Sequence, residues 1–246
     1  MAESGPGKIR LFNDFSGTGD AVALTAASNN MGDFYVGGLN IVDADGGVAV
    51  NTSLLGGVVT IQSANVDLDT AFIGTAGLGF DVGLMGPIVM ETRIQLVDLD
   101  NKQIFFGITS VLSTSSTLEA VLSGNTATLT LTASSLAGFL LSSTLSDDED
   151  WHGAYNGGTT TGETVAANVD FNDEAVAGEW QVLRLEVDTN GDARWYIDSD
   201  LKQTVAGAVS TTTNMGVALM AGATTTQTSV VECDYILVEA NRDWTV

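Results

Sequence analysis

The chain has 246 residues, 44% of them hydrophobic, with 31 acidic against 8 basic residues and a formal net charge of -23. That length suits one all-β domain with a sizeable core, and the apolar content argues against disorder. The acid excess excludes nucleic acid and anionic membrane as partners, because phosphate surfaces need Lys and Arg to neutralise them; no apolar run reaches the ~18–20 residues of a membrane helix.

Residues 1–8, MAESGPGK, read as a flexible arm ahead of a single domain over 9–246. They carry no apolar stretch after basic residues, so no secretory signal is expected and synthesis in a cytoplasm is. From there short β-prone runs alternate with Gly, Asn and Asp clusters, the pattern of a two-sheet antiparallel sandwich. Strands are expected near 9–15, 34–42, 47–51, 55–63, 68–74, 87–97, 103–111, 117–123, 126–133 and 136–143. Beyond a long irregular loop at 144–163, TLSDDEDWHGAYNGGTTTGE, further strands are expected near 164–171, 179–188, 193–198, 201–206, 214–222 and 230–240.

Three runs alternate with period two, which fixes their register. Met90, Thr92, Ile94 and Leu96 oppose Glu91, Arg93 and Gln95; Leu183, Leu185 and Val187 oppose Val182, Arg184 and Glu186. Val231, Cys233, Tyr235 and Leu237 are expected to oppose Glu232, Asp234, Ile236 and Val238. Asn190-Gly191 joins two strands and predicts a type I′ hairpin turn, in which both residues take positive φ. Asp43, Asp45, Asp98 and Asp100 read as turn formers. Cys233, the only cysteine, excludes an intrachain disulfide and reads as a buried, inert thiol. Trp180 and Trp195 read as core.

The ordered set LFNDF (11–15), GPIVMETRIQLV (86–97), QIFFGITS (103–110), GEWQVLRLEVD, ARWYID and DYILVEANR resembles a concanavalin A-like (LamG-like) jelly roll, with 112–170 poorly matched. Among such domains the chain looks most like virion structural proteins of tailed bacteriophages. The resemblance implies an all-β, two-sheet antiparallel jelly-roll sandwich. It further implies a capsid decoration (cement) protein that stabilises a shell, homo-oligomeric and partnered by the major capsid protein. It would sit on the particle surface after synthesis in the host cytoplasm. The alternative is a glycan-binding, lectin-like module of a head or tail fibre.

The same superfamily includes glucanases, whose signature is E-x-D-x-x-E on one strand; their two carboxylates flank a glycosidic bond ~5–5.5 Å apart. Here Glu186-Val187-Asp188 gives the first half and then continues Thr189-Asn190-Gly191, while Glu91 is followed by Arg93. His152, the only histidine, reads as a surface loop residue. No catalytic activity and no cofactor are expected. Asp147, Asp148 and Asp150 are candidate ligands for a divalent cation such as calcium between subunits. Asp188, Asn190 and Asp192 begin like an EF-hand loop, but position twelve is Ser199, and a hairpin turn explains the run. Trp151 and Tyr155 either form a glycan or partner platform or anchor their loop. Trp244 docks the tail on its own domain or on a neighbour.

Overall fold

The computed structural model describes residues 7–16, 29–41, 45–224 and 226–242. Its strands begin with β1 (Lys8–Asn13), β2 (Asn29–Met31), β3 (Phe34–Gly37), β4 (Gly47–Val50), β5 (Val59–Gln62) and β6 (Thr70–Gly74). β7 (Phe80–Asp81), the one-turn helix α1 (Val82–Met85), β8 (Ile88–Gln95) and β9 (Gln103–Thr109) follow. Next come β10 (Leu122–Asn125), β11 (Thr128–Leu131), β12 (Leu136–Ser142) and β13 (Asp150–Asn156). The chain closes with β14 (Asp170–Glu174), β15 (Trp180–Val187), β16 (Ala193–Ile197), β17 (Asp200–Val205), β18 (Asn214–Gly222) and β19 (Val230–Asn241).

These strands build the antiparallel sandwich that the alternation predicts. One sheet is eight-stranded, in the order β17-β16-β15-β8-β19-β5-β4, with β1 also on β19. The other is nine-stranded, in the order β14-β13-β12-β9-β18-β6-β3-β2, with β7 also on β18. Between the sheets the buried rings and aliphatic chains form one core. Trp195 of β16 crosses it, its Nε1 donating to the Gly138 carbonyl of β12 at 3.0 Å.

The central strands of the nine-stranded sheet are buried on both faces. β6, β9 and β12 are buried along their whole length, as is β18 beyond Asn214. The cover is the chain between β9 and β12, including the β10–β11 hairpin. A Cβ on Gly222 would meet Leu118 Cβ at 3.0 Å, and one on Gly216 would meet Leu112 Cδ2 at 2.6 Å. Leu118 N donates to Thr70 Oγ1 at 3.0 Å, and Leu118, Val121 and Leu122 are fully buried. Expected as a strand, 117–123 instead turns, with Val121 N and Leu122 N both donating to the Leu118 carbonyl, before β10 begins.

The largest correction is the stretch expected as a loop at 144–163, which contains β13. Trp151, Gly153 and Tyr155 face the other sheet, and His152 and Ala154 lie under cover, so neither face alternates polar with apolar. Gly153 has no room for a side chain: a Cβ would stand 2.5 Å from Phe171 Cζ. In 230–239 the alternation breaks at a bulge between Cys233 and Tyr235 in the pairing with β8. Ile236 and Val238 therefore point into the core, and Tyr235 and Leu237 point outward, the reverse of the expected pattern. The Asn190-Gly191 turn also differs. It sits within a longer connection, 188–192, where Asp188 N donates to the Asp192 carbonyl and Gly191 N to that of Asp188; Gly191, at φ 84°, is its positive-φ residue. The expected strand at 164–171 is instead a 3-10 turn, Ala166–Asn168, running into β14. Residues 1–6 of the expected arm, Asp43 and Trp244 lie outside the described residues.

Candidate binding face

Two of the contact residues expected from sequence, Trp151 and Tyr155, do not lie at the surface. Trp151 is fully buried, edge-on to Phe139 with 6.3 Å between centroids, and its Nε1 donates to Gln181 Oε1 at 3.0 Å. Tyr155 is buried against Trp195. Both anchor β13 to the opposite sheet, so neither is open to a glycan. His152 is buried too, with Nδ1 2.9 Å from the Asp150 carbonyl. Burial holds its pKa below the usual value, against the pull of nearby Asp170.

Asp147 and Asp148 are exposed on a turn, and Asp150 is half-buried at the start of β13. Among the described residues of the single chain no group of three or more His, Cys, Asp or Glu is arranged to hold a metal ion. Burial first, then Asp170, Glu174, Asp147 and Asp173, push the Asp150 carboxyl up to about 6. In the 188–192 connection the side chains serve the fold. Asp188 pairs with Arg194 at 2.7 Å, and Asp192 accepts from Gly207 N at 2.7 Å and Asn190 Nδ2 at 2.8 Å. Cys233 is buried beside Thr92, and burial pushes its thiol up to about 12, which leaves it inert at neutral pH.

The outward face of the eight-stranded sheet is different. Outward side chains of β8, β15, β16, β19 and β1 are half-buried and mostly polar. A continuous line of contacts crosses these five strands. Phe12 lies 6.1 Å from Tyr235, centroid to centroid. Tyr235 donates its hydroxyl proton to Glu91 Oε1 at 2.7 Å. Glu91 Oε2 meets Arg184 Nη1 at 3.3 Å, and Arg184 Nη2 donates to Glu186 Oε1 at 2.6 Å. Tyr196 closes the line with its hydroxyl 3.5 Å from Glu186 Oε2. Beside it, Arg93 stacks over the Trp180 ring at 4.7 Å while pairing with Asp234 at 2.8 Å. Trp180, expected as core, is thus half-buried on this face. Burial and then the bond to Glu91 push the Tyr235 hydroxyl pKa up, so it stays a donor.

Two shallow hollows adjoin along β8. One, of about 240 Å³, is lined by Glu91, Val182, Arg184, Glu186, Tyr196 and Ser199. The other, of about 360 Å³, lies between β1, β19 and the start of β8. Val89 lines the second and Glu91 the first, and they are successive outward residues of one strand. Alternation in the sequence had placed Glu91, Arg93, Arg184 and Glu186 on outward faces. The β19 bulge, which turns Tyr235 outward to complete the line, has no local sequence signal.

Glu91 and Glu186 come together here from neighbouring strands rather than from one strand. Arg184 fills the space between them and bonds both, so in this arrangement they do not flank an open site for a glycosidic bond.

No protein-family model matches the sequence, and no curated protein matches it. Solved structures do match. A protein of unknown function from Shewanella oneidensis MR-1 aligns over 100% of this chain and 92% of its own, with TM-score 0.57 and 11% identity. LamA from Z. galactanivorans, solved with laminaritriose and laminaritetraose, aligns over 94% and 98%, with TM-score 0.56 and 9% identity. The carbohydrate recognition domain of Emp46p aligns over 84% and 87%, with TM-score 0.51 and 11% identity. At such identities the likeness is one of fold, shared by carbohydrate-recognition domains and glycoside hydrolases alike, and fold alone does not select between them. The chain has the all-β, concanavalin A-like jelly-roll fold.

Proposed function

We propose that this domain is a non-catalytic, lectin-type carbohydrate-binding module whose working surface is the outward face of the eight-stranded sheet. The observation that carries it is the line from Phe12 through Tyr235, Glu91, Arg184 and Glu186 to Tyr196. Sugars are bound by aromatic faces against their carbon–hydrogen surfaces and by fixed polar groups that accept or donate to hydroxyls. This line offers both on a rigid sheet, held by mutual contacts before any ligand arrives. The solved relatives in fold that hold laminari-oligosaccharides or are carbohydrate recognition domains support the same class. The test is binding to a broad glycan array, followed by titration of the best ligand into wild type and a Trp180→Ala/Tyr196→Ala variant. A tenfold or greater loss of affinity at unchanged melting temperature is expected. Unchanged affinity, or no glycan retained by wild type, would sink the reading. Release of new reducing ends from the bound glycan would overturn its non-catalytic part.

A second reading, a decoration protein on a tailed-phage shell, is favoured by the distribution of charge. Lys8, Arg10, Arg93, Arg184 and Arg194 point outward on this one face, five of the chain's eight basic residues. They are matched there by Glu91, Glu186, Asp188, Glu232, Asp234 and Glu239, so the face is close to neutral and nearly all of the -23 lies elsewhere. A neutral face can dock on a major capsid protein or a neighbouring copy while the acidic remainder keeps particles dispersed. Mass spectrometry of purified virions separates the readings: hundreds of copies per particle favour decoration, a handful favours a fibre module, and none removes the virion.

A further inference from the structure

We infer that the larger hollow, beside β1, is an anion subsite that takes the carboxylate or sulfate group of an acidic glycan. This rests on the glycan-binding reading and names its ligand class. In a chain with 31 carboxylates and 8 basic residues, every cation is expected to find an acid. Arg10, Arg93, Lys102, Arg184, Arg194 and Lys202 do, each within 4.0 Å. Lys8 and Arg242 have no carboxylate partner among the described residues, and they are neighbours. Lys8 pairs across the sheet with Asn241, and its Nζ bonds only that residue's neutral Oδ1, at 2.8 Å. Arg242 Nε donates to the Lys8 carbonyl at 3.3 Å, and its backbone N to that of Gly7 at 3.1 Å.

Lys8 lines the hollow, together with Arg10. Arg10 Nε is buried and makes no hydrogen bond of good geometry, although Glu239 Oε1 lies 3.0 Å away. Arg242 lines a different hollow, with Asp81, so this one holds two cations, Lys8 and Arg10, against one carboxylate, Glu239, and Lys8 is the one left unpaired. Ile9, Pro87, Val89 and Ala240 complete the lining and give an apolar floor for ring carbons. Salt screens charges over about 8 Å at physiological ionic strength, so distant carboxylates do not cancel this local excess. The excess suits a single acidic substituent and not a phosphate backbone, which needs many cations. Because Val89 adjoins Glu91 on β8, a glycan lying along the aromatic line can place its acidic group here.

The experiment uses the whole chain and polysaccharides that differ only in charge: dextran against dextran sulfate, and polygalacturonate against its methyl ester. Wild type should bind the acidic member of at least one pair tenfold or more tightly, and which pair responds distinguishes sulfate from carboxylate. A Lys8→Gln/Arg10→Gln variant of unchanged melting temperature should lose that preference. The single Lys8→Gln change, at an exposed position, is the fallback if the double variant folds poorly. Equal affinity for both members, or a preference that survives substitution, overturns the subsite and leaves the glycan reading standing. Absence of binding to every glycan tested, neutral ones included, overturns both.

Discussion

The two sheets present opposite surfaces to the outside. The outward face of the nine-stranded sheet is closed by the chain around the β10–β11 hairpin, and its central strands are apolar on both faces. The outward face of the eight-stranded sheet is open, polar and charge-balanced. One face spends its side chains on stability and the other leaves them within reach of a ligand. A sandwich therefore need not bind on the sheet that carries the most aromatic residues. Phe105, Phe106, Phe139 and Trp151 are all on the closed side, and all are buried.

Substitutions on the closed side should give the largest effects. Trp151→Ala should lower unfolding free energy by about 3–5 kcal/mol, from lost burial and the cavity left behind, and should leave Gln181 Oε1 without its donor. Leu140→Ala, on a strand buried throughout, should cost roughly 2–5 kcal/mol. Denaturant titration at constant m-value checks both. If Trp151→Ala instead abolished glycan retention and left stability intact, the closed face would be the working one and the comparison would be reversed.

The contrast between the faces also explains what the sequence made legible. Where a face is open, polar and apolar residues alternate, and Glu91, Arg93, Arg184 and Glu186 were assigned outward from alternation alone. Where a face is covered, alternation vanishes. QIFFGIT and LAGFLLS still read as strands because they are long apolar runs, but DWHGAYN did not, since its Trp, His, Gly and Tyr mimic a loop. The identity of the cover depends on contacts such as Leu118 with Gly222, distant in sequence, which no local pattern encodes. Outward Tyr235 was missed for a related reason, because a one-residue bulge inverts all that follows it.

At the rim of the closed sheet, Asp150 tests burial against charge. Its carboxyl is raised from 3.8 to about 6, chiefly by burial and then by Asp170, Glu174, Asp147 and Asp173. A folded-state pKa above the unfolded one means that the native state holds the proton more tightly. The contribution of Asp150 is thus fully present below pH ~3.8 and is lost as pH rises through about 6. Asp150→Asn should therefore stabilise at pH 7, on the order of 1–3 kcal/mol, with the gain shrinking to near zero at pH 4. Buried His152 titrates in the opposite sense, but it is present in both proteins and cancels in the difference. Melting curves of the two proteins that stay parallel from pH 4 to 7 would rule this out.

The smallest effect should lie in the open face, and there the size itself is informative. Arg184 bonds Glu91 at 3.3 Å and Glu186 at 2.6 Å, and all three side chains remain partly exposed. Exposed ion pairs contribute about 0.2–1 kcal/mol, since water screens them and two long side chains lose freedom. A double-mutant cycle with Glu91→Gln and Arg184→Gln should return a coupling in that range at low salt, falling as salt is added. Such a result would mean that the network contributes little to folding and that its geometry is better explained by readiness for a ligand. A coupling near 3 kcal/mol, insensitive to salt, would make the line a structural brace. The open face would then differ from the closed one only in polarity, and the aromatic rings alone would have to account for any glycan bound there.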